Sequence, residues 1–227
     1  MSGFVVYNIS VNIKQRSIIM NNVLDRLASS TGRRDDEPNR DLAKELADSR
    51  DKKAISVIAK NLWNKDKKIR TDCLKVIYEI GYFEPDLIKN YGEEFVKLLK
   101  SNDNRFVWGS MIALSTIAVS RADLIIDNYD LIIKTIENGS VITVDSGINT
   151  LSKAASVKDS YNKKIFPYLI SHLKKCRPKE VAQHSESIFL AVNKSNQEEF
   201  LKALHSRERD ISQSQLVRIR KIYKKLQ

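Results

Sequence analysis

Asn64-Lys65-Asp66-Lys67-Lys68-Ile69-Arg70-Thr71-Asp72-Cys73-Leu74-Lys75-Val76-Ile77-Tyr78-Glu79-Ile80-Gly81 is the stretch whose reading decides the fold. Ile69, Cys73, Ile77 and Ile80 follow the i, i+4, i+8, i+11 spacing of one α-helical face. Asp66 stands where an N-cap carboxylate would accept from the free N–H groups of the first turn. Gly81 stands where a left-handed C-cap would end the helix. Glu84-Pro85-Asp86 then opens a short helix, with Pro85 at its first position.

The same pattern returns along the chain under a shift of 37 residues. Leu62 leads to Leu99, Ile136 and Leu173; Ile77 leads to Leu114, Leu151 and Ile188; Ile80 leads to Ile117, Ala154 and Ala191. Phe95 leads to Ile132 and Leu169, and Val96 to Ile133 and Ile170. Breaks at Tyr91-Gly92, Asn128 and Pro167 fall at nearly equivalent places, and a second long helix follows each, ending near Leu99, Ile136 and Leu173. Turn-forming loops, Ser101-Asn102-Asp103-Asn104 and Asn138-Gly139-Ser140, separate the units. A lone helix pair cannot cover its apolar face, so the units must stack. The expected fold is an all-α solenoid of about four such repeats over residues 20–227, clearest over 62–205.

The opening of the first unit resembles that of a HEAT repeat: Asp66 is the capping Asp, Ile69 the apolar residue three further on, Arg70 the adjacent Arg, and Cys73 the small residue deeper in the helix. The chain is similar over residues 39–205 to small bacterial HEAT-repeat proteins of unassigned activity, and the armadillo type is close to the same pattern. It departs from that pattern where Val107, Val144 and Val181 replace the motif Arg. The resemblance implies a binding surface and no particular partner, because such arrays serve many purposes. Residues 20–29 and 39–48, two amphipathic segments joined by Thr31-Gly32-Arg33-Arg34-Asp35-Asp36-Glu37-Pro38, are expected to cap one end, with Met20 opening the first helix. Leu216, Ile219, Ile222, Tyr223 and Leu226 make one face of a last helix at the other. Residues 1–19 alternate like a strand at Ile9, Val11 and Ile13, and read as a poorly ordered extension from a misassigned start.

Charge is unevenly spread. Residues 161–227 hold 15 Lys/Arg against 6 Asp/Glu, a net +9, out of +11 for the chain. Such a footprint suits nucleic acid, an acidic protein or an anionic membrane surface, the plain alternative being a solvated surface. No run of about 18 apolar residues suggests membrane insertion. Nothing at the N-terminus reads as a secretory signal, and Cys73 and Cys176, far apart, fit a reducing cytoplasm. Phosphate loops, serine-hydrolase elbows and His-Glu-x-x-His motifs are missing, so the expectation is no catalytic residue and no cofactor. His172 and Cys176 have the i, i+4 spacing of paired metal ligands. No fourth ligand is evident and Pro178 interrupts the chain before His184, so no metal is expected either.

The repeat register isolates two binding rows. Trp108 takes the place held by Thr71, Asp145 and Ala182, and Ile112 the place of Lys75, Asn149 and Glu186. Those polar counterparts suggest an outward position, giving an aromatic anchor beside Asp145 and Asn149; the alternative is that Trp108 packs between units. Lys68, Arg105 and Lys179 form a basic row, interrupted by Ile142, where helix N-termini favour anions. The leading expectation is a non-catalytic scaffold for a protein partner. The other is nucleic-acid binding, with DNA-lesion recognition as its narrower form, since HEAT-like alkylpurine DNA glycosylases use Trp and Asp in a groove. Trp108 and Asp145 resemble that pair only superficially, since they come from different repeats.

Overall fold

The computed structural model describes residues 23–226, in which twelve complete α-helices and no strand are found. The fold is an all-α solenoid. The chain divides into two compact units, one ending at Tyr91 and the other starting at Gly92, where the sequence reading drew a single solenoid. The expected 1–19 extension and the helix start at Met20 lie outside the described residues.

The first unit holds α1 (Glu37–Ser49), α2 (Lys52–Lys60) and α3 (Lys67–Phe83). Residues 25–32 form turns, not the amphipathic helix expected through residue 29. Side chains hold part of this segment: Asn39 Oδ1 accepts from the Ala28 N–H at 2.9 Å, and Asp72 Oδ2 from the Ser29 N–H at 2.8 Å, while the N–H groups of Ser30 and Thr31 turn back to the Leu27 carbonyl. Asn39 Nδ2 donates to Asp72 Oδ1 at 2.9 Å, which ties α1 to α3. Asp66 caps α3 as expected, accepting from the Lys68 N–H at 2.7 Å. Gly81 does not end that helix. It is buried inside it, and the helix runs on to Phe83, where Pro85 forces the preceding Glu84 out of the α region (φ −142°, ψ 78°).

The second unit holds α4 (Gly92–Leu98), α5 (Asn104–Ile117), α6 (Ala122–Asp127), α7 (Tyr129–Glu137), α8 (Val141–Ala155), α9 (Asp159–Lys175), α10 (Val181–Ile188), α11 (Gln197–Arg207) and α12 (Gln213–Leu226). The first helices of successive repeats stack in order: α5 on α8, α8 on α10, and α10 on α12. The second helices α4 and α7 pack on α5 and α8, while α9 packs on both α8 and α11. The periodic positions form this core. Leu114, Leu151 and Ile188 are all fully buried, as are Ile117, Ala154, Ile132 and Leu169, and Leu99, Ile136 and Leu173 are also buried. Among these series Ile133 alone is half-exposed.

Two features close this array. The expected break at Pro167 is absent, because α9 passes through it as one helix of 17 residues. An interior proline removes an N–H and crowds the preceding turn, at a cost of about 3 kcal/mol. Here Ile165, Phe166, Leu169 and Ile170, all buried, hold the helix together on either side of the exposed proline. The C-terminal end of α9 is capped by Arg207 of α11. Its guanidinium donates to the carbonyls of Leu173 at 2.7 Å and Cys176 at 2.8 Å, and to Asp210 at 2.8 Å.

Two substitutions test this account by urea unfolding. Pro167→Ala restores one helical hydrogen bond without touching the core, and should raise stability by about 1–3 kcal/mol. Arg207→Ala strands two buried carbonyls, and should lower it by about 2–4 kcal/mol.

Candidate functional site

The second unit carries two clefts along the edge where second helices end and first helices begin. The first, about 630 Å³, is lined by residues of the loop after α4, of α5 and of α7. The next, about 510 Å³, is lined by residues of α7, α8 and α9 and by Glu180 of the following 3-10 turn. Nine lining positions of the two correspond under the 37-residue shift: Leu99, Lys100, Asn102, Asn104, Val107, Leu131, Thr135, Asn138 and Gly139 in the first become Ile136, Glu137, Gly139, Val141, Val144, Tyr168, His172, Lys175 and Cys176 in the second. The clefts are thus a property of the repeat. Their floors are apolar and their rims are polar, as binding clefts of this size usually are. Lys100, Lys134, Lys175 and Arg177 give the rims exposed cations.

The second cleft ends on a chain of polar side chains that reaches into the core. His184, on α10, is fully buried. Its Nε2 lies 2.8 Å from Asp145 Oδ1 of α8, and its Nδ1 lies 3.0 Å from His172 Nε2 of α9. A carboxylate only accepts, so the network assigns the His184 proton to Nε2 and leaves Nδ1 to accept from His172. Burial, followed by the neighbouring His184, lowers the His172 pKa to about 4, so this ring is neutral near neutral pH. Tyr168 stacks on His172 with ring centroids 6.4 Å apart, and burial pushes its hydroxyl up to about 12. Cys176 is buried one turn beyond His172, and burial raises its thiol pKa, against the pull of Arg207. His172, Cys176 and His184 each present one ligand atom, all within 4.8 Å of one another. At the rim Arg177 Nε donates to Glu180 at 2.9 Å and holds that carboxyl below its usual range.

No family model matches the chain, and no curated protein does. Solved structures do. A designed armadillo repeat protein in complex with the peptide (KR)4 superimposes with a TM-score of 0.62 at 14% identity, over 82% of this chain and 85% of that one. A mutant of Kap121p, a HEAT-repeat karyopherin, matches with a TM-score of 0.61 at 13% identity, over 89% of this chain and 22% of that one. An engineered protein matches with a TM-score of 0.55 at 17% identity, over 85% of this chain and 98% of that one. This protein has a HEAT/armadillo-like repeat fold.

In that HEAT-like frame the sequence-derived residues separate. Lys68 is exposed at the start of α3 in the first unit. Arg105 and Lys179 are exposed in the second unit, as is Ile142, which takes the equivalent place between them in the repeat register. Trp108 is half-buried, as are Asp145 and Asn149. Ile112 does not face outward. It is 9% exposed, as is its counterpart Lys75, whereas Asn149 is half-buried and Glu186 exposed at the same place in later repeats. Asp145 faces His184 of the next repeat and joins it in a polar network. His184 stands in the row of small residues Cys73, Ser110 and Gly147, and that misfit in the repeat was the available signal. The Pro178–Glu180 turn brings it back against α9, across the interruption that the sequence reading treated as a separation.

His172 gives a pH dependence with a defined sign. Its folded pKa of about 4 lies below the ordinary value of about 6.5, so the unfolded chain binds the proton more readily. Stability should therefore be complete above about pH 6.5 and fall as the pH drops toward 4. Thermal unfolding in a chelating buffer checks this, and His172→Gln should flatten that part of the acid limb.

Proposed function

We propose that this protein is a non-catalytic scaffold that holds an extended peptide segment of a partner protein along the paired clefts of its second unit. The correspondence of the two clefts under the repeat shift carries the reading. An isolated pocket suits a small molecule, whereas clefts at a regular interval suit a ligand with its own repeat, such as a peptide chain. Stacked helices lie about 10 Å apart, a distance that an extended chain covers in roughly three residues. Apolar side chains of the peptide would seat against Leu99 and Val107 in one cleft and Ile136 and Val144 in the next. The (KR)4 complex of the designed armadillo protein supports a peptide ligand on this fold. Its basic sequence does not transfer, because Lys100 and Lys134 are the charged residues lining the first cleft, while at the second Lys175 and Arg177 stand beside Glu137 and Glu180. The partner segment is therefore acidic with interspersed apolar residues. Among the described residues no helix is long and apolar enough to cross a membrane.

Selection from a random peptide display library on the immobilised full chain tests this, followed by fluorescence anisotropy of the enriched peptides. Acidic, apolar-spaced peptides should emerge. Val144→Asp and Lys134→Glu, verified as folded by circular dichroism, should each weaken them tenfold or more, equivalent to about 1.4 kcal/mol. No enrichment, or equal binding by the variants, refutes the proposal. Tight duplex DNA binding that falls steeply with salt and is lost with the same cations would identify nucleic acid as the ligand instead.

A further inference from the structure

The cluster at the inner end of the second cleft has no role in peptide binding that its burial would explain. Two histidines and a cysteine, converging from two helices, are an expensive arrangement at positions held elsewhere by Thr135, Gly139 and Gly147. Apolar residues would fill the same volume with no polar atoms to satisfy. We propose that His172, Cys176 and His184 bind a zinc-class divalent metal ion through His172 Nε2, Cys176 Sγ and His184 Nδ1.

Geometry carries the assignment. Around a tetrahedral zinc ion, with bonds of about 2.0 Å to nitrogen and 2.3 Å to sulfur, ligand atoms sit roughly 3.3–3.6 Å apart. The two ring nitrogens are 3.0 Å apart, and all three ligand atoms lie within 4.8 Å of one another. A small spreading of the imidazoles and a rotation of the Cys176 side chain complete three corners. His172 and Cys176 come from successive turns of one helical face and its C-cap, and His184 from the facing helix. The orienting group is also in place. A metal-bound histidine commonly donates its other N–H to a carboxylate, which fixes its tautomer. Asp145 Oδ1, 2.8 Å from His184 Nε2, does this while leaving Nδ1 free to bind metal.

The protons and charges balance. Without metal, His172 Nε2–H donates to His184 Nδ1. On binding, the His172 proton moves to its Nδ1, so that Nε2 offers a lone pair, and the Cys176 thiol releases one proton to solvent. The dication then meets one thiolate and the Asp145 carboxylate, which together neutralise it. Glu180 is paired with Arg177, and Arg207 with Asp210. Arg207 lies 3.9 Å from Cys176 Sγ and favours its thiolate form. Two nitrogens and one sulfur suit zinc over the oxygen-seeking magnesium and calcium. His172 and Cys176 both line the cleft, so the fourth position faces it and is left for water or for a ligand in the cleft.

Cobalt(II) reports on such a site, because a thiolate ligand gives a charge-transfer absorption in the near ultraviolet. The full chain, stripped with chelator and reduced, should bind one equivalent of Co²⁺ with that band, and Zn²⁺ should displace it. Cys73→Ser should keep the band, and Cys176→Ser should abolish it. Asp145→Asn should weaken Co²⁺ binding 10- to 100-fold, the usual effect of losing a carboxylate that orients a ligand. The absence of the band in the native chain, or its persistence in Cys176→Ser, overturns the assignment. If Cys176→Ser fails to fold, His172→Ala decides: its ring is half-buried at the cleft, and unchanged one-equivalent binding would refute the site.

Discussion

Everything in the second unit depends on the stacking of α5, α8, α10 and α12. α8 is apolar over more of its surface than one partner can cover, whereas the terminal α12 buries only Ile219 and Ile222 on one face. Ile148, Leu151, Ala154 and Ala155 of α8 are all buried, under α5 and α10 and under the second helices α7 and α9. Burial of this kind contributes about 25 cal/mol per Å² of apolar surface, and it is available only when neighbours are present on both sides. The stacking also fixes the clefts, because each lies where the end of a second helix meets the start of the next first helix.

The departures from repetition are therefore the informative places. Gly147 holds the α8 position of the small-residue row because Ile136 presses against it: a Cβ there would lie 2.4 Å from Ile136 Cγ1. One repeat later the same row holds His184, fully buried and hydrogen-bonded through both ring nitrogens. Next to it, Thr135 gives way to His172 and Gly139 to Cys176. Three coordinated replacements at equivalent positions, all converging on one point, differ from the scattered variation of the surface. A buried polar cluster is tolerable only when its members satisfy one another, and Asp145 completes that condition for His184.

The first unit shows the same principle with a different device. Asn39 is fully buried and has its side-chain oxygen on the Ala28 N–H and its amide on Asp72. Asp72 in turn accepts from the Ser29 N–H. The segment before α1 is thus held by side chains where a helix would have satisfied its own backbone.

The helical character, the 37-residue period, the buried rows and the cap at Asp66 were legible in the sequence, because they depend on spacing along a helix and on local side-chain-to-backbone bonds. The sequence also placed Arg105 and Lys179 on exposed helix starts, since charge at a loop needs no tertiary context. It misread Gly81 and Pro167 as breaks, because local propensity of about 1–3 kcal/mol is overridden when flanking residues are buried on both sides. It placed Ile112 outside, because polar counterparts at one position do not reveal which side chains a neighbouring helix covers. Above all, it could not join Asp145, His172, Cys176 and His184, spread over 40 residues and three helices. Their meeting is decided by the turn at Pro178–Glu180 and by the packing of α10 and α9 on α8, which are long-range contacts that no local pattern encodes.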